Sequence, residues 1–155
     1  MLVEDLMVHE CDLEFLSPDM TLREAAKKML ETKRPHGASV KGMLVKEYEK
    51  VAGILSIKDI LDALSTDYGD EQLSDFAWDG MLIDAAKSEK IRNKKVSECM
   101  TKDVKSVTPK TPLKKCSDIM RKEGLQRMPV MENGNLEGMI YIRDIAEIAL
   151  LNLAN

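Results

Sequence analysis

Apolar side chains fall at Leu22, Ala25, Ala26, Met29 and Leu30, the spacing of i, i+3, i+4, i+7 and i+8 that lays one apolar stripe along an α-helix. Thr21 and Glu24 stand at its head as a capping box, in which a hydroxyl and a carboxylate satisfy N–H groups that have no intrahelical partner. A buried amphipathic helix is predicted there. The same rhythm returns at Leu113, Cys116 and Met120, with Thr111 as cap, Pro112 at the first helical position and Gly124 as the stop. After each helix, "MLVKEYEKVAGILS" and "MPVMENGNLEGMIY" read as strand, turn and strand, with Asn133-Gly134-Asn135 a strong turn signal. Ahead of each helix a brief strand is expected, at Leu13 and Phe15 and at Val104, Ser106 and Val107. Beyond each hairpin, Ile60, Leu61 and Leu64, and in the second stretch Ile145, Ile148 and Leu151, predict a second helix. Each stretch is therefore β-α-β-β-α.

The two stretches are copies of one unit. "GILSIKD" at 53–59 returns as "GMIYIRD" 85 positions later, with Ser56 replaced by Tyr141. "VEDLM" at 3–7 matches "VSECM" at 96–100, "SPDMTLREAAKKML" at 17–30 matches "TPKTPLKKCSDIMR" at 108–121, and "GMLV" at 42–45 matches "RMPV" at 127–130. An internal duplication follows. It divides the chain into a first repeat at 1–64, a connector at 65–94 and a second repeat at 95–155. Leu22 to Gly53 spans 31 positions and Leu113 to Gly138 spans 25, so the first copy carries six extra residues, most simply within "KRPHGASVK". In the connector, Leu73, Phe76, Ala77, Met81, Leu82 and Ala85 suggest a packed helix that also holds the single tryptophan, Trp78.

Composition narrows the function classes. With 155 residues, 44% hydrophobic and 32% charged, the chain reads as globular. No apolar run approaches the roughly 18 to 20 residues of a membrane span, and the acidic start "MLVEDLMVHE" does not fit a signal peptide. The expected location is the cytoplasm. The net charge of −4 argues against nonspecific nucleic-acid binding, which needs a basic face. Cys11, Cys99 and Cys116 form no CxxC pair and suit reduced thiols. His9-x-Cys11 lacks a second pair at metal-ligand spacing, so no metal site is expected, and the eleven methionines suit adaptable core filling. No G-x-S-x-G, GK[ST] or HExxH motif appears, so no catalytic residues are assigned and the chain is not expected to be an enzyme.

The order of strand, capped helix, "(R)MPV" hairpin and G-h-h-(S/T)-h-x-D heptad resembles a cystathionine-β-synthase (CBS) domain, and two copies resemble a Bateman module. The resemblance implies an α/β (α+β) fold, a tandem CBS pair whose repeats pack about a pseudo-twofold axis and leave two clefts. It also implies an adenosine-containing ligand such as AMP, ADP, ATP, NAD or S-adenosylmethionine. By position, the ribose-binding carboxylate falls to Asp59 and Asp144, and the residue that helps hold ribose or phosphate to Ser56 and Tyr141. Strand backbone at Met43 and Met128 would meet adenine, while Ser17 and Thr108 match positions near the ligand.

The chemistry of the heptad is sensible in itself. A carboxylate is acceptor-only and can take two vicinal hydroxyls, and glycine lets backbone approach a ligand closely. A helix start favours a phosphate, with Lys58 and Arg143 beside it. Lys41, Arg34, His36 and Arg127 lie around the expected cleft mouths, either to meet phosphate or as solvated surface charge. The alternative is structural: aspartate also suits a helix start, glycine can simply relieve packing, and Ser17 and Thr108 can be turn residues before proline. Tyr141 is larger than serine, so the two sites are expected to be inequivalent.

Two main functions follow from different classes, beside a third, a redox or metal sensor that would need Cys11, Cys99 and His9 brought together. One is a regulatory module in which an adenosine ligand changes conformation or the hold on an unidentified protein partner. The other is a constitutive dimerisation or docking scaffold whose clefts are filled by side chains. A homodimer suits both.

Overall fold

The structure, a computed structural model, describes residues 1–33, 40–66, 75–84 and 88–155. Its elements in chain order are β1 (Val8–His9), α1 (Leu22–Glu31), β2 (Gly42–Glu47), β3 (Lys50–Ser56), α2 (Ile57–Thr66), α3 (Asp75–Ile83), α4 (Glu89–Arg92), α5 (Val96–Cys99), α6 (Leu113–Glu123), β4 (Arg127–Glu132), β5 (Asn135–Tyr141) and α7 (Ile142–Ala154), with 3-10 turns at Val3–Asp5 and Glu10–Asp12. They form two compact units. One comprises Met1–Leu13 with Asp103–Asn155, the other Glu14–Lys102. The sequence repeats and the compact units are thus cut differently: each unit takes its opening segment from one repeat and its helix and hairpin from the other.

Within the unit 14–102, β2 and β3 form an antiparallel hairpin in which Gly42 faces Ser56 and Val45 faces Gly53. The register shifts between Val45 and Lys46, a bulge that sharpens the local twist. Leu16 lies along the free edge of β2, giving its N–H to Leu44 O and its carbonyl to Lys46 N–H. The predicted strand at Leu13 and Phe15 is reduced to this one bridge residue. Leu22, Ala25 and Met29 of α1 sit in a core with Leu16, Met43, Val45, Leu55, Ala63, Leu64, Ile91 and Val96. The capping box is formed, since Thr21 accepts from Glu24 N–H and Glu24 accepts from Thr21 N–H. Leu30, expected on the inner stripe, is 76% exposed: it lies at the margin of a stripe that the three residues fill.

The unit 1–13 with 103–155 repeats this plan. Its hairpin of β4 and β5 has Arg127 opposite Tyr141 and a bulge between Val130 and Met131. Val107, bridging Val130, is what remains of its predicted opening strand. Cys116 and Met120 of α6 enter a core with Val3, Val107, Met128, Val130 and Ile140. Gly124 ends α6 at φ 67, a left-handed turn that glycine adopts without penalty. Thr111 does not cap α6 as expected. Its hydroxyl instead accepts Thr108 N–H at 3.1 Å, and the leading Leu113 N–H of the helix is satisfied by Met1 O at 3.0 Å.

That last bond belongs to a set shared by the two units. Leu22 N–H donates to Lys94 O, Val96 N–H to Met20 O and Ser97 N–H to Pro18 O, and Leu113 to Met1, Val3 to Thr111 and Glu4 to Pro109 repeat them. Each opening segment then pairs with the second hairpin strand. Thr101 exchanges both backbone bonds with Ile54 at 2.9 Å, and Val8 of β1 pairs with Met139. A Cβ on Gly53 would come 2.6 Å from Thr101 O and 3.0 Å from Met100 Sδ, while one on Gly138 would run into Val8 O. The heptad glycines are required by protein backbone.

In the connector, α3 and α4 are helical as expected, and Trp78 packs on the core of the unit 14–102. Leu82, expected to pack with it in the connector, is half-exposed. Leu73, Ala85 and the side chains of Phe76, Ala77 and Met81 lie outside the described residues, as do Arg34, His36 and the centre of the six-residue insertion.

Gly53→Ala is expected to lower stability by roughly 1 to 3 kcal/mol, the usual cost of overpacking, against the modest entropic gain that alanine brings in an open position. Urea unfolding checks it, and a midpoint at or above that of wild type would mean that the approach of Thr101 is not tight.

Candidate functional site

The end of β3 delivers Ser56 to the start of α2, where the backbone turns from strand to helix. Asp59 Oδ2 accepts from Ser56 N–H at 2.8 Å and from Ser56 Oγ–H at 3.0 Å, while Ser56 Oγ accepts from Asp59 N–H at 3.4 Å. This is a capping box of the S-x-x-D kind. The other carboxylate oxygen, Oδ1, accepts from Thr101 Oγ1–H at 2.9 Å. Thr101 was not among the residues singled out from the sequence, since it stands 42 positions away and its counterpart in the first copy is Val8. Both Ser56 and Asp59 are half-buried. The result is an acceptor-only group held by donors on both oxygens at a helix start. Opposite Ser56 in the ladder stands Gly42, which brings no side chain to the site.

The helix start offers less to an anion than the heptad suggested. Ile57 N–H, first in α2, donates to Lys41 O at 3.0 Å, and Asp59 N–H is taken by Ser56. Lys58 points away along the helix toward Asp62, with Nζ 3.6 Å from Oδ2 and the side chain 84% exposed, a pair of the kind worth little. Lys41 is exposed.

The equivalent place in the other unit has different chemistry. Tyr141 precedes α7 and makes no side-chain cap. Ile142 N–H donates to Gln126 O at 3.0 Å. Asp144 occupies the position of Asp59 and is half-buried, and Arg143 is exposed. Arg127 faces Tyr141 across the ladder, where the first copy has glycine facing serine. A small polar corner in one copy is a bulky one in the other.

The remaining candidates divide by role. Ser17 O accepts Met20 N–H and Thr108 O accepts Thr111 N–H, so both head equivalent turns whose second residue is proline. Met43 and Met128 are 3% and 1% exposed, with side chains in the two cores, and any ligand contact there falls to backbone. Cys116 is buried, and burial raises its thiol pKa, which keeps it protonated and unreactive. Among the described residues, no group of three His, Cys, Asp or Glu could hold a metal ion, and no helix is long and apolar enough to cross a membrane.

A model of the CBS domain matches residues 3–66 and 96–150, nearly all of both copies. The chain belongs to the CBS domain family. A 17.7 kDa uncharacterized protein of Acidianus ambivalens is 32% identical over 136 residues, covering 87% of this chain and 66% of the relative. The inosine-5′-monophosphate dehydrogenase of Nitrosopumilus maritimus is 27% identical over 140 residues, of which the matched part is only 26% of the enzyme. The chain thus spans a minor part of that enzyme and just under two thirds of the Acidianus protein. Among solved structures, AcuB of Vibrio cholerae superposes with a TM-score of 0.70 at 24% identity over 99% of this chain and 93% of its own. CBSX2 in complex with AMP gives 0.71 at 24% over 97% of both chains, and the CBS domain pair of protein MJ0100 with 5-methylthioadenosine and S-adenosyl-L-methionine gives 0.70 at 19% over 98% of both. These likenesses establish the tandem CBS fold.

Ser56→Ala should destabilise the protein by about 1 kcal/mol, the usual worth of a lost helix cap. Ser65→Ala, which removes an exposed hydroxyl from the same helix, should cost almost nothing. Equal urea midpoints for the two variants would show that the box at Ser56 carries no stability.

Proposed function

We propose that this CBS pair is a regulatory module that binds an adenosine-containing ligand and thereby alters its own conformation or its hold on a protein partner. The observation that carries the reading is the Asp59 carboxylate, half-buried at a helix start and held from both sides by Ser56 and Thr101. A carboxylate so held is a ready acceptor for ribose hydroxyls. Two structural neighbours are described in complex with adenosine compounds, AMP for one and S-adenosyl-L-methionine with 5-methylthioadenosine for the other, which supports the ligand class. The module acts by binding, without catalytic residues. Asp59 with Ser56 forms the main ribose site, with Ser17 and the backbone at Met43 contributing to it, and Lys58 would join a ligand phosphate only by turning from Asp62. Asp144, Tyr141, Arg143, Thr108 and Met128 form a second site narrowed by the tyrosine. Regulation further requires that the ligand bind one conformation more tightly than another.

The reading includes a cytoplasmic homodimer. The second half of α7 supports the dimer: Leu150, Leu151 and Leu153 are 66%, 62% and 81% exposed, and no charge falls between Ile148 and Asn155. Such a run is costly to leave in water, and a second copy would cover it. Of Ile145, Ile148 and Leu151, the residues that predicted this helix, Ile145 packs against the core of its unit, while Ile148 and Leu151 are 37% and 62% exposed.

A thermal-shift panel of AMP, ADP, ATP, NAD and S-adenosylmethionine tests the ligand. A true ligand at about a hundredfold over its Kd should add roughly 2.7 kcal/mol to stability, and Asp59→Ala should abolish the shift while Asp144→Ala leaves most of it. No shift with any of the five on wild type would turn the reading to the constitutive scaffold. For the dimer, Leu150→Glu combined with Leu151→Glu should sediment as a monomer at concentrations where wild type is a dimer; a monomeric wild type would rule the dimer out.

A further inference from the structure

Asp59 receives a donor from a part of the chain that carries no heptad. Thr101 is exposed, but it is tied down through its backbone. Its N–H and C=O are both bonded to Ile54, two residues before Ser56, and its carbonyl oxygen lies against the bare Cα of Gly53. The backbone bearing the hydroxyl is therefore fixed relative to the strand that delivers Ser56. Ser56 holds Oδ2 with two donors and Thr101 holds Oδ1 with one.

An ionised carboxylate offers about four lone-pair sites. Three donors leave one on Oδ1, and a second opens on Oδ2 when the Ser56 hydroxyl turns to a ligand. Without Thr101 the carboxylate could rotate about its last bond, and any ligand that used it would bear the cost of fixing it. We propose that Thr101 is a positioning residue that sets the plane of the Asp59 carboxylate for a vicinal diol. The inference rests on the adenosine reading above. The chain carries its own comparison: Val8 pairs with Met139 beside Gly138 as Thr101 pairs with Ile54 beside Gly53. Valine offers no hydroxyl to Asp144 from that position, so the two copies differ in this device as well as at Ser56 and Tyr141.

Calorimetric titration of AMP and 2′-deoxy-AMP into wild type, Thr101→Val and Thr101→Ser tests it. Valine is nearly isosteric and already occupies the matching place at Val8; Thr101→Ala serves as a second variant if Thr101→Val does not fold. The expected result is AMP affinity lowered about tenfold in Thr101→Val, the order of one hydrogen bond to a charged group. The loss for 2′-deoxy-AMP should be smaller, so that the preference for the ribonucleotide shrinks, and Thr101→Ser should restore both. Unchanged or tighter AMP binding by Thr101→Val, or equal losses for the two nucleotides, overturns the positioning role and leaves the adenosine reading standing. Failure of wild type to bind AMP, or any other adenosine compound of the panel, overturns both.

Discussion

In each unit two backbones approach each other too closely for any side chain to stand between them, and much of the rest depends on it. Thr101 against Gly53, and Val8 against Gly138, bring an opening segment onto a hairpin strand at a distance that no Cβ allows. That approach seats Val96 and Val3 in their cores and lets the carbonyls of Lys94 and Met1 meet the first N–H of α1 and α6. A buried or tightly approached N–H left without a partner would cost as much as the bond it lacks. Segment, helix start and strand therefore constrain one another. The bulge just before each glycine, where Ala52 and Glu137 have no cross-strand partner in the register, bends the strand toward the segment that covers it.

Local signals in the sequence were legible where neighbours three or four residues away set them, as at the Thr21 capping box, the Asn133-Gly134 turn and the helix stop at Gly124, but not at Thr111. The duplication, and through it the family, followed from their order. What could not be read is which copy of the opening segment joins which hairpin. "VEDLM" and "VSECM" have the same apolar pattern, so either satisfies either partner as far as spacing can tell, and only long-range contacts distinguish the two arrangements. The glycines were legible as sites of close approach, but what approaches is chain. Leu30, Leu82 and Leu151 show the same limit from another side: periodicity predicts an apolar face without saying how wide a face the fold can cover.

The hairpin tips show how differently the copies have been treated. Asn133 and Gly134 turn with φ of 51 and 80, as their residue types favour, whereas Tyr48 and Glu49 make the matching turn with φ of 49 and 63. Two ordinary side chains in the left-handed region cost of order 1 to 2 kcal/mol each. The unit 14–102 tolerates this because its ladder pairs Glu47 with Lys50 right up to the tip and its core is closed by the opening segment. Stability held by packing leaves room for local residues that do not suit their conformation.

The same latitude separates the two candidate sites. Both copies keep the glycine, the aspartate and the backbone pairing, which are demanded by the fold or by the helix start. They differ around the strand-to-helix turn: glycine and arginine at 42 and 127, serine and tyrosine at 56 and 141, threonine and valine at 101 and 8. All three fall around one carboxylate, and all three leave the unit 14–102 smaller or richer in hydroxyl donors than the other. A need for an oriented acceptor in an open corner would account for all three together, because Ser56 and Thr101 both bond to Asp59 and Gly42 stands opposite Ser56.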